Sequence, residues 1–380
     1  MKNTIKYSFV NSGYWMTFCA VYGYANYYML NKGFLSNQIG IVIAVGNLIA
    51  FFVQPTLATF ADNTKKYKLN QIIIFLSLII LVLALLLLIQ PNNNLMTAII
   101  FALFITLLFA LQPLINSISG RFETNNIEIN FGIARSMGSL SYAIISYLLG
   151  YLITIFDNKV VIVSIIIVCL IMIISTLILK IPDSHIDNSG IRGSYFDFFK
   201  KYPRFIFIFF EVACLFYFHT FANVFMLQIV LSLGGTAKDL GFIIAIAAAV
   251  EIPTMFFFSK LLKRFTVTNL FTISALFFTI KSFALYLSPS ITVIIFQQIL
   301  QMFAFALYIP SAVIYTNITI DPEDTIKGQA LLTTANTLGA TSCSLISGYL
   351  LNVISVSNTT LIGAFISLVG TVLIVYSINR

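Results

Sequence analysis

QIGIVIAVGNLIAFFVQPTLATFADNTKKYKL, residues 38–69, and DLGFIIAIAAAVEIPTMFFFSKLLKRF, residues 239–265, are one pattern written twice. Ile39-Gly40 lies over Leu240-Gly241 and Ala44 over Ala245, and each apolar run ends in a basic loop, DNTKKYK or KLLKRF. About 20 apolar residues cross a bilayer as one helix. SYLLGYLI (146–153) and SLISGYLL (344–351) echo each other in the same way. The chain therefore reads as two copies of a larger membrane unit.

Composition agrees. Of 380 residues, 59% are hydrophobic and 9% charged, where a soluble domain carries about 25% charge. Residues 69–120 and 328–379 hold no Asp, Glu, Lys or Arg, and each is broken near its middle by a polar turn, QPNNN or ISVSN. Each reads as a helical hairpin. MKNTIKYSFV has no small-residue cleavage site after it and leads directly into a first span. Cys19, Cys169, Cys214 and Cys343 lack paired spacing, so neither a metal nor a disulfide is expected. His185 reads as solvated in a polar loop.

Apolar runs place twelve spans near 7–30, 37–61, 70–90, 95–118, 132–156, 160–180, 204–231, 240–262, 270–289, 291–316, 330–355 and 358–378. The one long polar segment divides them into a bundle at 1–180, a loop at 181–203 and a bundle at 204–380. Sixteen of the 21 Lys and Arg fall on the loops and tails of one side; Lys32, Lys159 and Lys238 fall on the other, and Arg135 and Lys281 lie within spans. Basic loops stay cytoplasmic, so both termini and the central loop are expected inside a cell (inner or plasma) membrane. The net charge of +8 is then a topology signal, and no nucleic-acid partner is expected. Two parallel six-helix repeats indicate an all-α major facilitator fold, two pseudo-symmetric bundles with solute bound between them.

With these residues in view, the chain resembles the lactose permease branch of that superfamily, the oligosaccharide:proton symporters. FFVQPTLATFADNTKKYKL (51–69) is similar to the superfamily's loop signature, with Asp62 and Lys66 matching and Ala58 and Lys65 replacing two glycines. PLIN (113–116) and NFGIARSMGSL (130–140) resemble its fourth and fifth helices, which puts Arg135 on the family's sugar-binding arginine. The departures are specific. Asn116 stands where the family has a glutamate, Lys281 where it has an arginine, and Gln301 and Ala304 where it has the proton-coupling His and Glu. His219 lies where the family's paired helix-7 aspartates are missing, and Glu251 falls about one turn from an eighth-helix glutamate. The resemblance implies sugar transport by proton symport; the departures leave the solute and the proton route open.

The polar groups inside the spans carry the remaining argument. A charge at the bilayer centre costs roughly 2.5–3.5 kcal/mol on insertion scales. Glu251 and Lys281 lie at matched depth on adjacent spans, so an ion pair is expected. It either locks spans 8 and 9 together or leaves Glu251 to carry a proton with Lys281 setting its affinity. Arg135 either snorkels to the surface or offers its planar fork to a solute. His219 and Asn223, one turn apart, are either a packed structural pair or a solute contact. Gln112 with Asn116, and Gln298 with Gln301, offer amides for helix contacts or for solute hydroxyls. Tyr24 shares a face with Tyr28 and could stack on a sugar. Glu211 lies nearer the inner end of span 7, where a gating bridge to loop lysines is one reading among others. Asp62 and Lys66 are placed to hold the inner side shut with Asp321, Glu323 and Asp324.

The expected function is secondary active transport of a small polar organic solute, an oligosaccharide or glycoside, driven by protons through alternating access in a monomer. An organic-anion or aromatic-acid transporter is the rival reading, with Arg135 and Lys281 as counter-charges. A solute sensor would need a signalling domain, and the longest polar segment is the short one at 180–204. A channel would need a filter motif. No nucleotide loop or HExxH spacing points to an enzyme or a cofactor.

Overall fold

The computed structural model describes residues 2–64, 66–89, 93–182, 195–321 and 324–378. Lys65, His185 and Glu323 lie outside them, as does most of the central loop. The described residues are helical, in the order α1 (Lys2–Phe18), a π turn (Cys19–Gly23), α2 (Ala25–Leu30), α3 (Ser36–Asn63), α4 (Leu69–Ile89), α5 (Asn94–Thr124), α6 (Phe131–Ile155) and α7 (Lys159–Ile178). There follow α8 (Tyr195–Lys201), α9 (Phe205–Val224), α10 (Met226–Ser232), α11 (Ala237–Leu261), α12 (Val267–Tyr286) and α13 (Ile291–Gln297). A 3-10 turn (Gln298–Met302) leads to α14 (Phe305–Thr319), α15 (Thr325–Val353) and α16 (Val356–Ile378).

Ten of these segments are long and apolar enough to cross a membrane unaided. The other two crossings are Lys2–Leu30, interrupted by its π turn, and α15, which is rich in Ser, Thr and Gly. Local chemistry sets several helix starts. Asn93 caps α5 by accepting from the Met96 N–H, Asn130 caps α6 from Ile133, and Thr266 caps α12 from Asn269.

The internal repeat survives in backbone detail. Tyr24 and Phe225 hold nearly the same non-helical conformation, at φ/ψ of −112°/7° and −104°/14°, and each starts a short helix. Gly33 and Gly234, at the same offset, both take positive φ in the turn that follows, +84° and +75°. A left-handed turn strains any residue with a Cβ, so glycine is kept in both copies. Apolar length predicts spans 1, 7 and 10 as continuous helices. The structure breaks all three, at residues 19–24, 225 and 298–304. Apolar periodicity runs unbroken through such bends and does not report them.

The chain groups into two compact units, 1–188 with 236–249, and 189–235 with 250–380. In the first, tyrosines of α1 clamp α5: Tyr7 donates to the Ile115 carbonyl and Tyr14 to the Leu108 carbonyl, each at 3.0 Å. Both pairs are seven residues apart, as an antiparallel helix pair requires. In the same unit the first half of α11 packs on α6. A Cβ on Gly241 would lie 2.8 Å from the Gly150 Cα, so this contact admits only hydrogen. In the second unit Phe271, Ala275 and Phe278 of α12 and Tyr308 and Ala312 of α14 pack against Ile208, Val212 and Leu215 of α9. Tyr217 and Ser347 join α9 to α15 at 2.9 Å. Interhelical hydrogen bonds of this kind are worth on average about 0.6 kcal/mol in a bilayer, so apolar packing sets these seams and the polar bonds fix their register.

Candidate functional site

The break in the tenth crossing organises the polar groups of the second unit. α13 stops at Gln297, the chain tightens into the 3-10 turn, and α14 resumes at Phe305. Gln301 lies inside this turn. Its Oε1 accepts from Lys281 Nζ at 2.5 Å, and its Nε2 donates to Glu251 Oε1 at 2.9 Å. All three side chains are buried. The expected Glu251–Lys281 pair is therefore bridged through an amide, which presents its acceptor to the cation and its donor to the carboxylate. Gln301, placed by sequence among the solute contacts, is in this structure the link between the two charges.

The same break presents Phe305 to α9. The His219 ring stacks on it at 4.3 Å with planes 5° apart. Asn223 Nδ2 lies 3.2 Å from His219 Nε2 and donates to the His219 carbonyl at 2.7 Å. The shared face read from the sequence thus exists, as a half-buried imidazole held between an amide and a ring. Gln298 is buried with Nε2 unpartnered among the described residues, and Gln297 likewise at both amide atoms.

In the first unit Arg135 is the fifth residue of α6. Its guanidinium lies 4.0 Å from the centroid of the Trp15 ring, and Nη1 donates to Ser139 Oγ at 2.8 Å. The side chain folds onto α1, where the snorkelling alternative would have sent it toward the surface. Gly138 makes this possible, because a Cβ there would lie 2.5 Å from Trp15 Cδ1. Trp15 opens a chain of aromatic contacts through Phe18, Tyr22, Phe109 and Tyr142, with centroid separations of 5.2–6.4 Å. Pro113 lacks the N–H that would bind the Phe109 carbonyl, and Gln54 Nε2 donates to that carbonyl at 2.9 Å instead. Gln112 is half-buried and Asn116 exposed on α5. Trp15 was not singled out from the sequence; its signals are that it is the only Trp and that a glycine stands one turn beyond Arg135.

Tyr24 requires a correction. It is fully buried, and its hydroxyl donates to the Ser146 carbonyl, while Ser146 Oγ donates to the Gly241 carbonyl at 3.1 Å. Tyr28 stacks on Phe101 at 5.3 Å. The two rings form no shared open face; Tyr24 belongs to the α6–α11 seam.

The loop charges are also arranged differently from expectation. Asp62 Oδ1 accepts from Arg121 of α5 at 3.1 Å, and Arg121 also donates to the Ala61 carbonyl. Lys66 is exposed with Nζ 5.3 Å from the Tyr67 ring. In the second unit Lys201 bridges Asp321 and Asp324 at 2.8 and 2.9 Å, and Lys327 also holds Asp324. Lys201 and Lys327 hold the Asp324 carboxyl down to about 2. Each acid thus has a cation within its own unit. Charge counting along the chain cannot distinguish this from bridges across the repeat. Glu211 is buried, and its carboxylate meets no loop lysine among the described residues.

Residues 5–361 match the family described as MFS_1 like. The chain belongs to the MFS_1 like family. A relative with this reach, 24% identical over 365 residues and covering 92% of the chain and 87% of its own length, is the uncharacterized transporter YwbF of Bacillus subtilis (strain 168). Among solved structures, a mutant form of the nucleoside transporter NupG superposes with a TM-score of 0.84 at 15% identity, over 99% of this chain and 100% of its own. A bacterial homologue of the human lysosomal transporter Spinster gives 0.75 at 12% identity over 98% and 96%. An auto-inhibited POT family peptide transporter gives 0.74 at 11% over 99% and 97%. At these identities the likeness is one of fold. The MFS_1-like chain is a multi-pass membrane protein of major facilitator fold and a transporter, not an enzyme.

Proposed function

We propose that this transporter carries out proton-coupled symport of a small polar glycoside, with oligosaccharides and nucleosides both inside the class. The carrying observation is the buried Lys281–Gln301–Glu251 chain at a broken helix. A carboxylate in a span is costly, and Lys281, tied to Glu251 through a neutral amide, offsets that charge while Glu251 is ionised. In this reading Glu251 and Lys281 couple the proton. Arg135, Gln112, Asn116, His219 and Asn223 meet the solute, and Trp15 supplies the ring face that Tyr24 does not. Asp62 and Lys66 act in gating. The likeness to the lactose permease branch, through Arg135 and the Asp62 loop, favours a sugar ring. The fold likeness to the nucleoside transporter NupG favours the same class, a nucleoside being an N-glycoside. The basic-loop asymmetry supports cytoplasmic termini in a cell membrane, and the two bundles at 1–180 and 204–380 are taken to work as one monomer.

The half-buried Arg135 guanidinium equally suits a carboxylate, which keeps an organic-anion substrate as the second reading. Uptake into proteoliposomes of a panel holding lactose, uridine, adenosine and benzoate, with and without an inward pH gradient, tests both. Uphill accumulation of a neutral glycoside that collapses with the gradient is the expected result. Uptake confined to benzoate selects the anion reading, and accumulation indifferent to pH removes the proton.

A further inference from the structure

Glu211 takes no part in the chain just described. It is the seventh residue of α9, about 9 Å along the helix from its start. It is fully buried, and both carboxylate oxygens are without a hydrogen-bond partner among the described residues. α16 crosses beside it, where a Cβ on Gly370 would lie 3.0 Å from the Glu211 carbonyl. Ile208, Val212 and Leu215 around it belong to the apolar core.

An ionised carboxylate in such a place needs a counter-ion or donors. Among the described residues, Tyr308 and Tyr315 of α14 and Cys214 of α9 itself lie in electrostatic reach of Glu211, and Tyr315 lies in reach of Arg204 as well. The Tyr308 hydroxyl is turned away and donates to Asn336 Oδ1. Helices α14 and α16 carry no charged residue, α12 carries only Lys281, and α15 only Lys327. Lys281 donates to Gln301 and Lys327 to Asp324. Arg204 lies seven residues back on the chain, and no ion pair joins it or any other cation to Glu211 among the described residues.

We infer that Glu211 is a second proton-binding site, separate from Glu251: in this conformation its carboxyl holds a proton, and it ionises only when another conformation brings water or a cation to it. The O–H bond broken on ionisation releases its proton to that water, and the electron pair stays on the carboxylate. Its part in transport rests on the proton-coupled reading above. The protonated acid itself is a property of the folded chain and stands or falls alone.

Infrared spectroscopy of the purified full-length protein in lipid bilayers reads that state through the carbonyl stretch of a neutral carboxylic acid. At pH 7 the wild type is expected to show this band, Glu251→Gln to keep it, and Glu211→Gln to lose it. A wild type without the band, or a Glu211→Gln protein with the band undiminished, overturns the inference. A band that appears only when sodium is replaced by choline puts a sodium ion at Glu211 and also overturns it. If Glu211→Gln does not fold, Glu211→Asp must shift the band, and an unshifted band overturns it equally. The solute panel in proteoliposomes separates the two readings. Uptake indifferent to pH alongside a Glu211 band removes the coupling and leaves the site.

Discussion

The two units contain their membrane-embedded cations by opposite means. In the first, Arg135 lies on the face of Trp15 and bonds a serine hydroxyl. In the second, Lys281 is tied through an amide to Glu251, and a further acid, Glu211, is buried on α9. A ring face holds a cation by its quadrupole and cannot take its proton. A carboxylate can. In the proposed function this difference puts proton handling on the Lys281–Glu251 chain of the second unit, while Arg135 of the first unit meets the solute together with His219 and Asn223 of the second.

Removing the carboxylate is the strongest way to break that division. Glu251→Gln is expected to bring uphill accumulation down to equilibration while solute exchange across the membrane partly persists. Accumulation and exchange measured side by side in proteoliposomes check this, and wild-type accumulation in the variant would reduce Glu251 to packing. The next effect is on stability. Asp62→Asn leaves the buried Arg121 without its anion, and removing one partner of a buried pair costs about 3 kcal/mol. Replacing the exposed Lys201 by Met should leave the melting temperature in detergent almost unchanged, because solvent screens that cluster. Equal losses for the two variants would mean that the loop charges of both units bear the same load.

Arg135→Lys keeps the charge and loses the planar stack on Trp15. Cation–π contacts are worth about 0.5–2 kcal/mol, so solute affinity should fall about tenfold while the folded protein still reaches the membrane. An unchanged affinity for the transported member of the panel would take Arg135 out of the solute site. The smallest effect expected is at low pH. Asp324 is held at about 2 in the folded chain against an ordinary 3.8. Its contribution is complete above the ordinary value and lost as pH falls through about 2, so α8 should loosen only in that acid window. Spin-label mobility on α8 during acid titration reads this directly, and loosening near neutral pH would point to a different anchor.

Much of this was legible without coordinates. Spans follow from apolar length, the repeat from Ile39-Gly40 over Leu240-Gly241, and each membrane-buried charge from its isolation in a greasy run. Glu251 and Lys281 are legible on those grounds, and Gln301 as an amide three residues from Gln298. Their connectivity was not legible, because it depends on the turn at 298–304, which contains neither Gly nor Pro to announce it.

Sequence alone determined what must be in the membrane, since bilayer thickness and the cost of charge act on each segment separately. Only the tertiary structure decided which neighbour each polar group meets. It moved Tyr24 from an open ring face into the α6–α11 seam and paired Asp62 with Arg121. It placed an amide between Lys281 and Glu251 and left Glu211 with no partner among the described residues. Helical periodicity fixes the face of a helix on which a side chain stands. The packing of several helices at once, through close contacts such as Gly138 on Trp15, fixes what stands opposite it.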